Sequence, residues 1–173
     1  MKICVQGLWH LGSVTSACLA AKGFKVVGLD DDKENILNLS NGKEPLFEPG
    51  LDKLIEEGRS AGTLSFTTDV KTAVSDVEVV WVSFDTPVDD DDRADVDFVK
   101  KRVCAIFNYL KNGAVVLISS QMPVGSVADL EQCFAETCPD KKISFACSPE
   151  NLRLGRAIEV FNKPERIVVG IRD

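Results

Sequence analysis

Short apolar runs alternate along the chain with stretches whose apolar residues recur every third or fourth position. The first kind reads as buried strands, the second as helices packed on one face. Ile3-Cys4-Val5 opens the series as a strand apolar on both faces. Gly7 to Gly12 turn the chain, and Leu11, Val14, Cys18 and Ala21 then predict one stripe of an amphipathic helix that Gly23 stops. Lys25 to Leu29 is a second buried strand, closed by Asp30. A short helix through Ile36, Leu37 and Leu39 ends at Asn41-Gly42, and a proline-bounded loop, Glu44 to Gly50, leads into a helix stopped by Gly58. Leu64 to Phe66 is a weak strand, and Thr67 or Thr68 caps a helix through Val74. The remaining expectations are a strand over 78–84, a helix from Asp95 to Lys111, a strand over 114–118 and a helix capped by Ser126 and stopped at Cys138-Pro139. Strands over 143–147 and 166–171 complete the chain. Strand-helix alternation without repeats or an internal linker predicts one domain over residues 1–173. Its expected fold is an α/β, Rossmann-type, doubly wound and mainly parallel sheet with helices on both faces.

The opening layout, strand, glycine turn, helix, strand, acid, is that of a dinucleotide-binding βαβ unit. Its diphosphate rests on the helix N-terminus, and the acid about 20 residues on takes a ribose diol. This assigns Gly7, Leu8, Trp9, His10, Leu11 and Gly12 to the diphosphate and Asp30 to the ribose. Trp9 stands where the usual motif has its second glycine, so the context carries the reading. A Trp9 amide can still face phosphate if the indole swings outward. A sheet of this type that binds no nucleotide is the bland alternative. Asp30, Asp31 and Asp32 would repel a 2′-phosphate, which favours NAD over NADP, although Asp31 or Asp32 can equally cap the next helix. Asp85-Thr86-Pro87 and the polar loop from Ser119 to Ser126 fall at the carboxyl edge of the sheet, where ligands bind.

Composition narrows the partners. The 173 residues, 45% hydrophobic and 27% charged, carry a net charge of −7, which argues against a nucleic-acid backbone or an anionic membrane surface. No signal peptide and no span long enough for a bilayer are expected. Six scattered cysteines, no C-x-x-C pair and one histidine, His10, make a zinc site improbable and suggest reduced thiols in a cytoplasmic protein. The acidic run Asp89 to Asp95 reads as a solvated loop rather than a metal site.

The chain resembles the nucleotide-sugar 6-dehydrogenases, the family that includes UDP-glucose and GDP-mannose dehydrogenases, over essentially its whole length. The resemblance rests on ordered motifs: the glycine turn, Val27-Gly-Leu-Asp30, Asn41-Gly42 with Phe47-Glu-Pro-Gly-Leu51, Thr67-Thr-Asp69, Asp85-Thr-Pro87, Pro123-Val-Gly125, Ser148-Pro-Glu-Asn-Leu-Arg153 and Pro164-Glu-Arg-Ile-Val-Val-Gly170. It implies an NAD-binding domain and a two-step oxidation of a sugar C6 alcohol to the uronate, passing through a thiohemiacetal and a thioester on a cysteine. It further implies a homodimeric full-length enzyme and a place in polysaccharide biosynthesis. The family's proton-handling glutamate maps onto Glu150, with Asn151, Leu152 and Arg153 beside it as substrate contacts. A carboxylate at the ligand edge of the sheet also suits a general base on physical grounds, because burial raises its pKa. Asp85, Thr86, Pro87, Ser120 and Gln121 become cofactor contacts, and Gln121 doubles as a catalytic position.

Departures from the family pattern are specific. Gln121 replaces a threonine that touches the active-site water or cofactor, Leu154 replaces a second glutamate, and Asn35 replaces a basic residue whose place Lys33 can take. The G-x-C-x-x-K-D nucleophile stretch does not occur, and Cys147 reads as packing. The expectation is therefore a cofactor domain of a longer enzyme, inactive alone. A non-catalytic NAD(H) or nucleotide sensor is the competing reading. A 3-hydroxyacyl-CoA or 6-phosphogluconate type of dehydrogenase fits less well, because of the Phe47-Glu-Pro-Gly and Pro149-Glu-Asn-Leu-Arg motifs.

Overall fold

The computed structural model describes residues 1–89, 91, 94–149 and 151–172. Among these, seven strands form one sheet in the order β3-β2-β1-β4-β5-β6-β7. The strands are β1 (Lys2–Gln6), β2 (Lys25–Leu29), β3 (Leu64–Thr67), β4 (Val79–Val82), β5 (Val115–Ile118), β6 (Ser144–Cys147) and β7 (Gly170–Ile171). All neighbours pair parallel except β6 with β7, which run antiparallel. The predicted doubly wound sheet is present, and its order reverses between β1 and β4.

Seven α-helices fill the crossovers among the described residues: α1 (His10–Ala21), α2 (Lys33–Ser40), α3 (Leu51–Ser60), α4 (Val70–Val74), α5 (Val96–Ile106), α6 (Ser126–Thr137) and α7 (Ala157–Asn162). Strand side chains alternate between two cores, as a period of two requires. Cys4, Val80, Val82, Val116 and Ile118 point into one core, shared with α4, α5 and α6. Ile3, Val5, Val26, Val79 and Trp81 point into the other, shared with α1 and α3 and reached by Ala157 of α7. Phe107 anchors the first core, meeting Phe134 and Phe145 edge to face at centroid distances of 5.2 and 6.1 Å.

Several expectations are corrected. Helix α1 has no solvent face for most of its length: residues 12–20 are buried, because α3 and α7 pack over the side away from the sheet. Gly58 lies inside α3, buried where the helix passes Leu64 and Ala20, and the turn follows at Gly62. Asp69, not a threonine, caps α4 by accepting the Thr72 N–H at 2.6 Å, while Thr67 accepts the N–H of Asp69. Gly125 in the left-handed region precedes α6, so Ser126 is its first residue and not its cap. Helix α5 tightens into a 3-10 turn at Phe107–Tyr109 instead of reaching Lys111. The 166–171 strand shrinks to Gly170–Ile171 at an exposed edge, and α7, absent from the sequence reading, lies just before it. The predicted acidic run includes residues 90, 92 and 93, which lie outside those described.

Candidate functional site

The crevice opens where the sheet order reverses, at the carboxyl ends of β1 and β4. Gly7 leaves β1 at φ +90° and donates its N–H to Leu29 O at 2.9 Å, which fixes the turn against β2. A β-carbon on Gly7 would lie 2.7 Å from the Phe84 ring. One on Gly12 would lie 1.7 Å from Gly7 O, so the first turn of α1 rests directly on the strand-end carbonyl. Only glycine permits both approaches.

Each predicted turn residue has a definite place. Leu8 is wholly buried; its N–H donates to Asp30 Oδ2 at 2.6 Å, and its carbonyl accepts from Ser13 Oγ and Asn35 Nδ2. This corrects the expectation for Leu8, whose amide serves Asp30 and is not open to a diphosphate. Trp9 is the residue before α1, and its side chain is turned outward with the residue 52% exposed, so the indole does not fill the turn. No side chain caps α1 and no acid lies in its first turn, which leaves its leading amides to an external acceptor. Leu11 is half-buried within that turn.

The His10 ring is buried, with Nε2 3.0 Å from Glu48 Oε2. Glu48, from the Phe47-Glu-Pro-Gly motif, is itself 1% exposed. It also accepts the N–H of Gly155 at 2.6 Å and of Ala157 at 2.8 Å. Burial pushes its carboxyl up, but the donors from His10, Gly155 and Ala157 outweigh that and hold it below the usual range. Glu48 thus ties the start of α1 to the start of α7. The motif was visible in the sequence; its function as a tie was not.

At the end of β2, Asp30 is half-buried and accepts from Leu8 N–H and, at 3.1 Å, from Asp32 N–H. Desolvation raises its carboxyl, opposed by these two amides and reinforced by the charge of Asp31. Asp32 caps α2 through the N–H groups of Glu34 and Asn35, as the bland reading allowed. Asp31 Oδ2 pairs with Arg102 Nη2 at 2.6 Å. The Arg102 guanidinium lies over the Phe98 ring, 3.6 Å from its centroid. A cavity of about 300 Å³ sits here, walled by Gln6, Asp30, Asp31, Phe84, Lys101 and Arg102 among others. Arg102 escaped the sequence reading because α5 reaches the crevice only through the fold, and Gln6 because it closes an otherwise apolar strand. Lys33, the exposed first residue of α2, is not on that wall.

On the other side, Thr86 Oγ1 donates to Gln121 O at 2.6 Å and joins the two predicted edge loops. Asp85 and Pro87 are exposed beside it; partial desolvation raises the Asp85 carboxyl and the nearby His10 draws it down. Ser120 is buried, and its hydroxyl finds no hydrogen-bond partner among the described residues. Gln121 is exposed. Ser119 Oγ donates to Ser148 O at 2.8 Å, which fixes the start of the 148–153 segment at the same edge. Asn151, Leu152 and Arg153 border a cavity of about 710 Å³ that also takes in Leu19 and Trp81, on the sheet's flank. Glu150 lies outside the described residues. Cys147 ends β6, paired with Gly170 across the antiparallel edge. Among the described residues, no three His, Cys, Asp or Glu stand close enough to hold a metal, and no helix is long and apolar enough to cross a membrane.

This arrangement fits a dinucleotide. It offers a glycine cradle, an uncapped helix start, a carboxylate at the end of the second strand and an orphaned hydroxyl on the facing loop.

Comparison with known proteins agrees with that geometry. The chain is 39% identical over 172 residues to a UDP-glucose 6-dehydrogenase of Rhizobium meliloti, covering 99% of this chain and 39% of that protein. It is 34% identical over 182 residues to a GDP-mannose 6-dehydrogenase of Pseudomonas aeruginosa, covering 100% and 41%. The crystal structure of a ternary complex of GDP-mannose dehydrogenase from Pseudomonas aeruginosa superposes with a TM-score of 0.94 at 30% identity, over 100% of this chain and 41% of that one. The chain therefore spans about two fifths of the length of these relatives. The family model described as UDP-glucose/GDP-mannose dehydrogenase family, NAD binding domain, matches residues 1–173, and the chain belongs to that family.

Proposed function

We propose that this chain supplies the cofactor half of an NAD-dependent nucleotide-sugar 6-dehydrogenase, which oxidises the C6 alcohol of a UDP- or other NDP-sugar to the uronate in two steps. The observation that carries the reading is the joined turn and acid: the Gly7–Gly12 cradle with Asp30 hydrogen-bonded to its Leu8 amide. The leading amides of α1, from Trp9 to Gly12, receive the diphosphate, and the outward indole leaves their approach open. Asp30 keeps lone pairs for the adenosine ribose diol. The cavity between Asp31, Phe84 and Arg102 takes the adenine ring against apolar and cationic walls. Asp85, Thr86, Ser120 and Gln121 flank the nicotinamide side, where the Thr86–Gln121 bond holds both loops at one spacing. NAD+ held by these residues would supply the hydride acceptor for the oxidation.

The substrate meets this half along Asn151, Leu152 and Arg153, with Glu150 as the group that accepts the alcohol proton and orients the hydrolytic water. A homodimeric full-length enzyme acting in the cytoplasm, and a product used in polysaccharide assembly, belong to the same proposal; six free cysteines suit that compartment. The family match favours this reading over a free-standing sensor.

Calorimetric titration with NAD+ and NADP+ tests it. NAD+ should bind, NADP+ should bind at least about tenfold more weakly, and Asp30→Ala should erase that preference. No heat at millimolar NAD+, or equal affinity for NADP+, would refute the assignment.

A further inference from the structure

Helices α5 and α6 lie side by side on one face of the sheet; two pairs of side chains cross their seam at matching steps, and a third joins the turns just past their ends. Lys100 Nζ meets Asp129 Oδ2 at 2.6 Å. One turn further along both helices, Cys104 Sγ lies 3.2 Å from Cys133 Sγ. Beyond them, Cys138 Sγ donates to Asn108 Oδ1 at 3.5 Å. The partners are separated by 29, 29 and 30 residues in sequence, so the two helices run parallel and in register. Helices packed with axes about 8–10 Å apart, each carrying its Cα atoms at a radius of about 2.3 Å, leave facing Cα atoms about 3.4–5.4 Å apart. That range overlaps the roughly 4.4–6.8 Å that a disulfide spans. Closing the sulfurs to bonding distance needs a movement of only about 1 Å. Both cysteines are half-buried at the rim of the core and take no part in the crevice described above.

We propose that Cys104 and Cys133 form a dithiol modification site, closing to an intramolecular disulfide on encounter with a small soluble disulfide. Burial, with Cys133 alongside, raises the Cys104 thiol, and the exchange balances with either sulfur attacking first. With Cys133 first, its thiolate attacks one sulfur of the reagent, forms a mixed disulfide and releases one small thiol. Cys104 then gives up its proton and attacks the Cys133 sulfur, expelling the second small thiol. Two protein thiols are oxidised, the reagent's sulfur–sulfur bond is reduced, and both protons leave on the released thiols. The cross-link fixes α5 beside α6. Lys101, Arg102 and Ala105 of α5 wall the cavity next to Asp30, so the bond holds that wall as well.

The test is incubation of the folded protein with excess oxidised glutathione, followed by an acid quench, unfolding in denaturant, alkylation of the remaining thiols and peptide mapping. Reactive thiols should fall from six to four, with a mass loss of about 2 Da located to a Cys104–Cys133 cross-linked peptide. The melting temperature should rise by several degrees and return on treatment with a dithiol reductant. Cys104→Ser should instead retain one glutathione on Cys133. Six surviving thiols, stable glutathione on both cysteines, a cross-link between other cysteines or a lowered melting temperature would each overturn the proposal.

Discussion

Replacing Glu48 by alanine removes one carboxylate and strands three donors at once. Glu48 Oε2 receives His10 Nε2 at 3.0 Å and Gly155 N–H at 2.6 Å, and Oε1 receives Ala157 N–H at 2.8 Å. All three contacts converge on a side chain that is almost fully excluded from solvent. A buried donor left without a partner costs about 1–3 kcal/mol, and two of the three, on the His10 ring and the Ala157 backbone, are buried. The expected loss for Glu48→Ala is therefore about 2–6 kcal/mol, a large fraction of the stability of an ordinary domain. Glu48→Gln keeps the volume and one acceptor oxygen but points an N–H₂ at a donor, so about 1–3 kcal/mol is expected. Urea unfolding gives the magnitude, and limited proteolysis gives the location: cleavage between residues 153 and 163 should accelerate before global unfolding, because Gly155 and α7 lose their tether. The pH dependence has a definite sign. The folded-state pKa of Glu48 is depressed, so the unfolded chain binds the proton more tightly. The contribution is thus complete above the ordinary value of 4.5 and is lost as pH falls through the folded value. A Glu48→Ala protein within about 1 kcal/mol of wild type, with unchanged cleavage in that segment, would refute the tie.

Other predictions follow from the same geometry. Desolvation raises the Asp30 pKa above its ordinary 3.8, so the folded state favours the protonated form. NAD+ affinity should fall as pH drops through that raised value, while the stability penalty of the buried charge is relieved over the same range; affinity flat down to pH 3.8 would contradict this. Gly12→Ala, with its β-carbon placed 1.7 Å from Gly7 O, should cost about 1–3 kcal/mol or more and abolish NAD+ binding in calorimetry; a wild-type isotherm would count against the cradle. Arg102→Leu loses the pair with Asp31 and the stack on Phe98. It should lower stability by only about 0.5–1.5 kcal/mol in urea while weakening NAD+ severalfold, since it also strips the cavity wall.

The parallel sheet was legible because each of its inner strands is a self-contained apolar run, and Gly7 to Gly12 with Asp30 was legible because one βαβ unit holds all of it within 30 residues. Information spread over longer separations was not. Arg102 and Asp31 are 71 residues apart, and Ala157 and Glu48 are 109 apart, so neither pair leaves a local pattern. Helix α7 went unread for the same reason: a six-residue helix with one fully buried position owes its existence to α1 and to the Glu48 carboxylate, not to its own periodicity. The stripe assigned to α1 was too narrow because Ser13, Thr15 and Ser16 are buried there as well. Small hydroxyls that return hydrogen bonds to the backbone, as Ser16 Oγ does to Gly12 O, can be packed inside without resembling a core. The misplaced caps at Thr67 and Ser126 are of another kind, since several residues at one boundary could each have done the work.

Strand β1 is synthesised before both of its neighbours, β2 and β4, in the finished sheet. Its β2 edge can be satisfied soon after the ribosome has released the first crossover. Its other edge must wait for Val79–Val82, about 70 residues later, an interval on the order of 4–14 s at ordinary elongation rates. Throughout that interval Ile3, Cys4 and Val5 present an apolar ribbon with half its ladder open, the condition under which nascent chains recruit holdases or cross-pair on polysomes. Strong amide protection of both edges in chains arrested before residue 79 would show that the growing polypeptide finds another cover.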